Sequence, residues 1–309
     1  MNKTAIVVDS ACTLPPRLLE KYNIKRVPIS VAINGDEFPD PCDQALSLEF
    51  FRSGQLKRKN TVTTEPPSAE TFAAVINEAI AEGAEQVFVQ TVNRMQGETY
   101  NKANEAVSKV RAQLPEGSKV TVRVMDSRTI FSGQALMVAE TLRRLLKSQE
   151  ANIVRRQMDT LSSKIHTYML PKSPLTALER AQKRGEKAVG WTQAAIANVI
   201  GVHPILCIVN DSSYRAATVK GFDKSAAQLF AHARSQLVRG LLSPIIVINY
   251  AGPLEALKAM NGFAELEASA RDCKVQLVVS VMSLAGGIYA SPGSLSLALM
   301  AEPHEWQGA

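Results

Sequence analysis

The chain has 309 residues, 46% of them hydrophobic and 21% charged, with a formal charge of +6. That length accommodates two domains and a sizeable core, and the composition is that of an ordinary globular protein. The charge is too mild to point to an acidic polymer, and the densest cationic run, Lys57-Arg58-Lys59, lacks interleaved aromatics, so it reads as a solvated loop and no nucleic acid is expected as a partner.

Strands in the first half read at 4–9, 25–33, 86–93 and 119–126, and helices at 16–22, 68–82, 96–114 and 130–148. Ser68 looks like an N-cap, and Phe72, Val75, Ile76 and Ile80 recur at helical spacing behind it. This βαβα order predicts a parallel sheet with helices on both faces. The second half reads as a helix at 151–163, a strand at 165–169 and helices at 173–184 and 193–200. A hairpin comes next, with strands 204–209 and 214–219 joined by Asn210-Asp211-Ser212-Ser213. Then come a helix at 224–238, a strand at 244–250, a helix at 253–270 and a strand at 274–281. Turns at 285–287 and 291–293 bracket Tyr289, and a last strand covers 295–300. The expected fold class is α/β. Residues 1–150 form an N-terminal α/β/α parallel-sheet domain, and 151–309 form a C-terminal α/β domain with a mixed sheet, the boundary falling near 149–152.

Several strands end in polar residues: Asp9-Ser10, Asn93 and Asp126-Ser127. In an open parallel sheet those ends line the rim where small ligands bind. Two loops extend the theme. Thr61-Val62-Thr63-Thr64-Glu65-Pro66-Pro67 runs into a helix start, where hydroxyls and free N–H groups suit an anion, although a linker followed by a cap explains the same residues. Asn93-Arg94-Met95-Gln96-Gly97-Glu98 leaves a strand and opens a helix, with Gly97 permitting close backbone approach. A plain helix start, with Glu98 complementing the dipole, is the competing account.

Catalytic signals are missing. His166, His203, His232 and His304 show no metal-ligand spacing, and there is no G-x-S-x-G elbow, H-E-x-x-H pair, Walker loop or dinucleotide fingerprint. Cys12, Cys42, Cys207 and Cys273 form no C-x-x-C pair, and Cys207 lies in an apolar strand where an inert buried thiol is expected. Asp9 interrupts the first apolar stretch too early for a signal peptide, and no apolar run reaches membrane-span length. A cytoplasmic protein without metal or cofactor is the expectation.

Taken together these segments resemble the DegV family of bacterial fatty-acid-binding proteins, over nearly the whole chain. Val8-Asp9-Ser10 with Leu14-Pro15 resembles the family's opening, and Glu20-Lys21-Tyr22 through Val27-Pro28-Ile29-Ser30-Val31 and Ile33-Asn34-Gly35 is similar to the family's next segment. Thr63-Thr64-Glu65-Pro66 resembles the T-S-Q-P loop, Gly97-Glu98-Thr99-Tyr100 the S-G-T-Y loop, Met125-Asp126-Ser127-Arg128 the I-D-S-K segment, His203-Pro204-Ile205-Leu206 the K-P-I-L segment and Ser291-Pro292-Gly293 the late G-P-G. The resemblance implies a fatty acid held between two domains, its tail in an apolar tunnel of the second and its carboxylate at the rim of the first. It places ligand contacts at Thr63, Thr64, Gln96, Gly97, Lys220 and Tyr289. Lys220 stands where the family carries a basic residue, usually Arg, after the hairpin. Tyr289 stands where it carries His, and Gly97 or Gln96 where it carries Ser. Another family Arg is absent from 187–190.

It further implies a long-chain fatty acid as ligand and a carrier subunit that does no chemistry itself. A separate ATP-dependent fatty acid kinase would phosphorylate the presented carboxylate and feed phospholipid synthesis, with room for transient contact with a membrane surface. Two other readings stand beside it: a divergent member binding a different amphiphile or small polar ligand, and a small-molecule enzyme at the rim using Asp9, Asp126 and Lys220 as acid–base groups.

Overall fold

Alternation along the first strand sets up the architecture. In β1 (Thr4–Asp9), Ile6 and Val8 point into one apolar cluster and Val7 into another, so both faces of this strand are covered, as a parallel sheet requires. The computed structural model describes residues 3–147, 149–183 and 201–308. Within them β1 lies between β2 (Lys25–Val27) and β6 (Gln86–Thr91), and β7 (Thr121–Asp126) completes a parallel sheet of order β2-β1-β6-β7. Helices α3 (Ala69–Ala81) and α4 (Thr99–Gln113) close one face through Phe72, Ile76, Ala103 and Val107. The Ser68 cap is as expected, its hydroxyl accepting from the Thr71 amide at 3.1 Å.

The other face is covered by α5 (Ser132–Leu146), whose opposite side lies on a second, mixed sheet of order β10-β9-β8-β13-β11-β12. Its strands are β8 (Ile165–Leu170), β9 (Val202–Val209), β10 (Ser212–Lys220), β11 (Ile245–Tyr250), β12 (Gln276–Val281) and β13 (Leu295–Met300). One cluster therefore runs from Ile6 and Phe88 through Leu136 and Met137 to Val247 and Met300. The close approach has a local cause. A Cβ on Gly133 would stand 2.0 Å from the Thr167 hydroxyl, so only glycine lets α5 seat against β8. The far face of the mixed sheet carries α8 (Phe222–Arg239) and α10 (Phe263–Asp272). The expected hairpin is β9–β10.

Four expectations change. The strand at 25–33 is two strands in two sheets, because Pro28 has no N–H to extend a ladder and Ile29 instead donates to the Ser10 hydroxyl at 3.0 Å. Its second piece, β3 (Ser30–Ile33), joins β4 (Asp36–Pro39) and β5 (Val62–Glu65) in a small antiparallel sheet that the sequence reading lacked. The helix at 253–270 is split into α9 (Leu254–Lys258) and α10 by Gly262 at φ 87°. The turn at 285–287 is the body of α11 (Leu284–Ala290), capped by Ser283. The helix expected at 193–200 lies outside the described residues, as do residues 187–190. The remaining helices are α1 (Pro16–Lys21), α2 (Gln44–Ser53), α6 (Ala151–Leu161) and α7 (Pro174–Lys183).

Two buried titratable groups tie distant segments together. Asp9, fully buried at the end of β1, accepts hydrogen bonds from the Ala11 amide (3.0 Å), the Val92 amide (2.7 Å) and Gln134 Nε2 on α5 (3.0 Å). Burial pushes its carboxyl up to about 6, against the pull of those donors. On the far side of the mixed sheet, His232 of α8 is sealed by the segment after β13. The Gln307 amide donates to His232 Nδ1 at 3.0 Å, so the ring proton sits on Nε2 and is donated to the Tyr168 hydroxyl at 2.8 Å. Tyr168 donates in turn to His304 Nε2 at 2.9 Å, and His304 Nδ1 donates to the Glu302 carbonyl at 2.7 Å. Trp306 stacks on His232 with ring centroids 4.4 Å apart. Burial, with the neighbouring His304, lowers His232 to about 3 and His166 to about 4.

These shifts oppose each other in acid. The histidines are depressed when folded, so their contribution is complete above the unfolded value near 6.5 and is lost as pH falls toward their folded values. Each should lose about 2 kcal/mol by pH 5. In thermal unfolding followed by circular dichroism between pH 7 and 5, His232→Gln should show a shallower acid decline than wild type, and equal slopes would refute the buried neutral ring. Asp9 is raised when folded, so it favours the folded state increasingly as pH falls through about 6, by about 1 kcal/mol over the same interval. Asp9→Asn should therefore decline more steeply than wild type. A parallel or shallower curve would count against the raised carboxyl.

Candidate functional site

A cavity opens where the small antiparallel sheet, the loop after β6, α7 and α11 meet. Its outer part measures about 280 Å³ and is lined by Thr63 and Thr64 of β5, by Gln96 and Gly97, by Arg180 of α7 and by Tyr289 of α11. A narrower inner part of about 50 Å³ continues from Thr64, Gln96, Gly97 and Tyr289 to Ala11, Ile29, Val92, Ile130, Phe131 and Ala285. The arrangement is amphipathic, with donors outside and hydrocarbon inside.

Local sequence explains each wall. Thr63 pairs in register with Ala32 and Thr64 with Val31, which fixes the two threonines at the edge of the small sheet. Among the described residues neither hydroxyl has a hydrogen-bond partner. Asn93 Oδ1 accepts from the Met95 amide at 2.7 Å and shapes the next loop. Gly97 follows at φ 135° with open space where a side chain would project, a backbone conformation that favours glycine. The glycines of α11 let that helix pack close against α2, since a Cβ on Gly287 would stand 2.1 Å from the Phe51 ring. Glu65 and Glu98 also line both parts, exposed at the mouth.

Arg180 is the buried charge of the site. It is 7% exposed, and its guanidinium donates to the Ile288 and Leu56 carbonyls. Among the described residues no carboxylate lies within ion-pair distance of it; the adjacent Glu179 pairs with Arg58 and acts on Arg180 through its charge alone. Burial lowers the Arg180 pKa from its ordinary value. Five N–H donors in a fixed fork, two of them used by these carbonyls, suit a carboxylate or phosphate.

Of the residues expected from sequence, Thr63, Thr64, Gln96, Gly97 and Tyr289 come together here. Lys220 does not. It is the exposed last residue of β10, paired with Val202, and lines neither part of the cavity. Sequence reasoning missed Arg180, whose only signal was a cation between Ala177 and Ala181 on the buried side of α7. It also missed Phe131. Asp9, Asp126 and Lys220, the acid–base set of the enzyme reading, line neither part. Asp126 is turned toward the amides of Arg128 (2.9 Å) and Arg94 (3.3 Å), and burial raises its pKa. Among the described residues no cluster of His, Cys, Asp and Glu could hold a metal, and no helix is long and apolar enough to cross a membrane.

The geometry has relatives. A DegV domain-containing protein of Xanthomonas campestris is 29% identical, over 98% of this chain and 99% of its own length. A stearic-acid-binding protein of Eubacterium ventriosum superposes with TM-score 0.79 at 22% identity, covering 97% of this chain and 98% of that one. A DegV family protein of Thermus thermophilus, described for its fatty acid binding, gives TM-score 0.76 at 19% identity over 97% and 99%. The family model for uncharacterised DegV proteins matches residues 3–302, and the chain belongs to the DegV family.

Proposed function

We propose that this protein binds a fatty acid as a carrier, with the carboxylate in the outer cavity and the tail running inward. Arg180 carries the reading: a buried guanidinium with no carboxylate in ion-pair contact among the described residues, at the wall of a cavity that also presents two unspent threonine hydroxyls. The solved relatives support it, since the proteins of Eubacterium ventriosum and Thermus thermophilus are described as binding stearic acid and fatty acid. The energetics agree. A tail gains about 0.8 kcal/mol per buried CH₂. A carboxylate leaving water needs several donors, or its desolvation cancels that gain. Arg180, Thr63, Thr64 and the Gly97 loop supply donors, and the buried cation outweighs the solvent-screened Glu65 and Glu98.

The carboxylate at the outer end is the part that a second enzyme can reach. In this reading an ATP-dependent kinase transfers the γ-phosphoryl group of ATP to a carboxylate oxygen, giving acyl phosphate and ADP, and the product enters phospholipid synthesis in the cytoplasm. The carrier itself performs no bond-making step.

Denaturing extraction of the purified protein should release a fatty acid detectable by mass spectrometry, and delipidated protein should rebind it. The acid should bind more tightly than the corresponding alcohol, because Arg180 rewards a charge. Equal affinities would favour a neutral amphiphile held through Gln96 and Tyr289. Protein that is isolated empty and binds no fatty acid would overturn the reading. Thr63→Val should weaken binding by about 1–3 kcal/mol, the cost of stranding a buried polar contact, and Arg180→Met should weaken it by more. An unchanged dissociation constant for either variant would remove that residue from the site.

A further inference from the structure

A second cavity, of about 400 Å³, opens between the end of α2, the loop that follows it and the start of α7. Arg52, Lys57 and Arg58 bring three cations to its lining, Ser173, Thr176 and Ser291 bring three hydroxyls, and among the described residues no carboxylate lines it. The run Lys57-Arg58-Lys59 reads in sequence as a solvated loop, yet the fold makes two of its members a wall. Arg52 and Lys57 line neither part of the cavity described above. The two cavities meet at Leu56, which lines this one while its carbonyl accepts from Arg180.

The charges do not balance within the protein. Arg58 is spent on Glu179, which it pairs with through both Nε and Nη2. Arg52 and Lys57 form no ion pair among the described residues. Gly54 ends α2 at φ 76°, and the Lys57 side chain folds back over it, its Cε 3.1 Å from where a Cβ would stand. A glycine is needed there for the backbone, and the tight contact adds to that need. Two unpaired cations on one hollow make a double positive charge. A phosphate monoester, at about −1.5 to −2 near neutrality, matches it, whereas a carboxylate leaves one cation over.

The opposite wall supplies a proton donor. Ser294 Oγ donates to the Ala290 carbonyl at 2.6 Å and accepts from the Lys172 amide at 2.8 Å. In its 3.2 Å contact with Ser291 Oγ the proton therefore belongs to Ser291. Ser291 Oγ accepts from the Ser173 amide at 3.1 Å, which pins the chain where α7 begins. The Ser173 and Thr176 hydroxyls lie 2.7 Å apart. Only one of their two protons can serve that contact, so the other is left for the hollow that both residues line.

We infer that this cavity binds a phosphoryl dianion, as free phosphate or as a phosphate monoester, through Arg52, Lys57 and the Ser173–Thr176 hydroxyl pair. The inference does not rest on the fatty-acid reading, because neither cation belongs to that site. Free phosphate and the monoester headgroup of phosphatidic acid present the same chemistry, and the experiment separates them.

Inorganic phosphate is titrated by calorimetry into the full-length protein, with ionic strength held constant by sodium chloride. In parallel, phosphatidylcholine vesicles carrying either phosphatidic acid or the singly charged phosphatidylglycerol are tested for co-sedimentation. Saturable phosphate binding identifies the soluble source, and preference for phosphatidic acid vesicles without phosphate binding identifies the headgroup. In either case Arg52→Gln and Lys57→Gln should each weaken binding by about tenfold. Both residues are exposed, so the variants should keep the wild-type Tm. Binding that both variants leave unchanged would overturn the inference. So would the absence of phosphate binding together with equal attachment to both kinds of vesicle, which is attraction to any anionic surface or none. Neither result touches the fatty acid, which is extracted and rebound in the separate experiment above.

Discussion

The structure depends on a carboxylate that never meets water. Asp9 lies at the end of the central parallel strand and gathers the Ala11 amide, the Val92 amide and Gln134 of α5 around one side chain. Those three partners belong to the loop after β1, the end of β6 and the helix joining the two large sheets. The bonds to the charged form offset only part of the cost of its burial, and the carboxyl stays raised. They extend the ladder that pairs Val8 with Gln90 past the strand ends and tie together the segments that carry the cavity walls Ala11 and Val92.

The same economy runs along the rim. Strand ends of a parallel sheet usually offer polar groups to a ligand, and this sequence supplies them. The chain uses them on itself. Asp126 accepts from the Arg128 amide, Asn93 from the Met95 amide, and the Ser127 hydroxyl donates to the Thr129 carbonyl at 3.0 Å. The inner cavity is left facing Ala11, Ile29, Val92, Ile130 and Phe131. A rim that reads as polar in sequence is therefore hydrocarbon in space, and the polar end of the site moves outward to β5, the Gly97 loop and α7.

That displacement explains what the sequence made legible. Periodicity is local, so β1, the capped α3 and the β9–β10 hairpin could be read directly. The resemblance located Thr63, Thr64, Gln96, Gly97 and Tyr289, which the fold does assemble. Arg180 could not be found this way, because a cation on an amphipathic helix normally faces solvent, and only packing of α7 against Leu56 and Ile288 buries it. Lys220 has the expected position after the hairpin, but the strand ends with that side chain exposed. The small sheet was hidden because Pro28 divides one apolar run between two sheets, and α11 because its glycine pair looks like a turn until Phe51 and Phe131 are seen to need the space.

The seam between the sheets is thus built in two ways. Along α5 it is solid, with Gly133 pressed against Thr167 and one apolar cluster crossing from Phe88 to Val247. Toward α7 and α11 it holds the cavity, with the strained Phe131 (φ 45°) at the wall and a buried cluster that includes Met169, Leu206, Ile208 and Met282 packed around it. The solid stretch joins the two sheets through residues separate from the cavity walls at Phe131 and Tyr289. Stability is unevenly distributed in folded proteins, and here the gap in the packing coincides with the strained turn at Phe131.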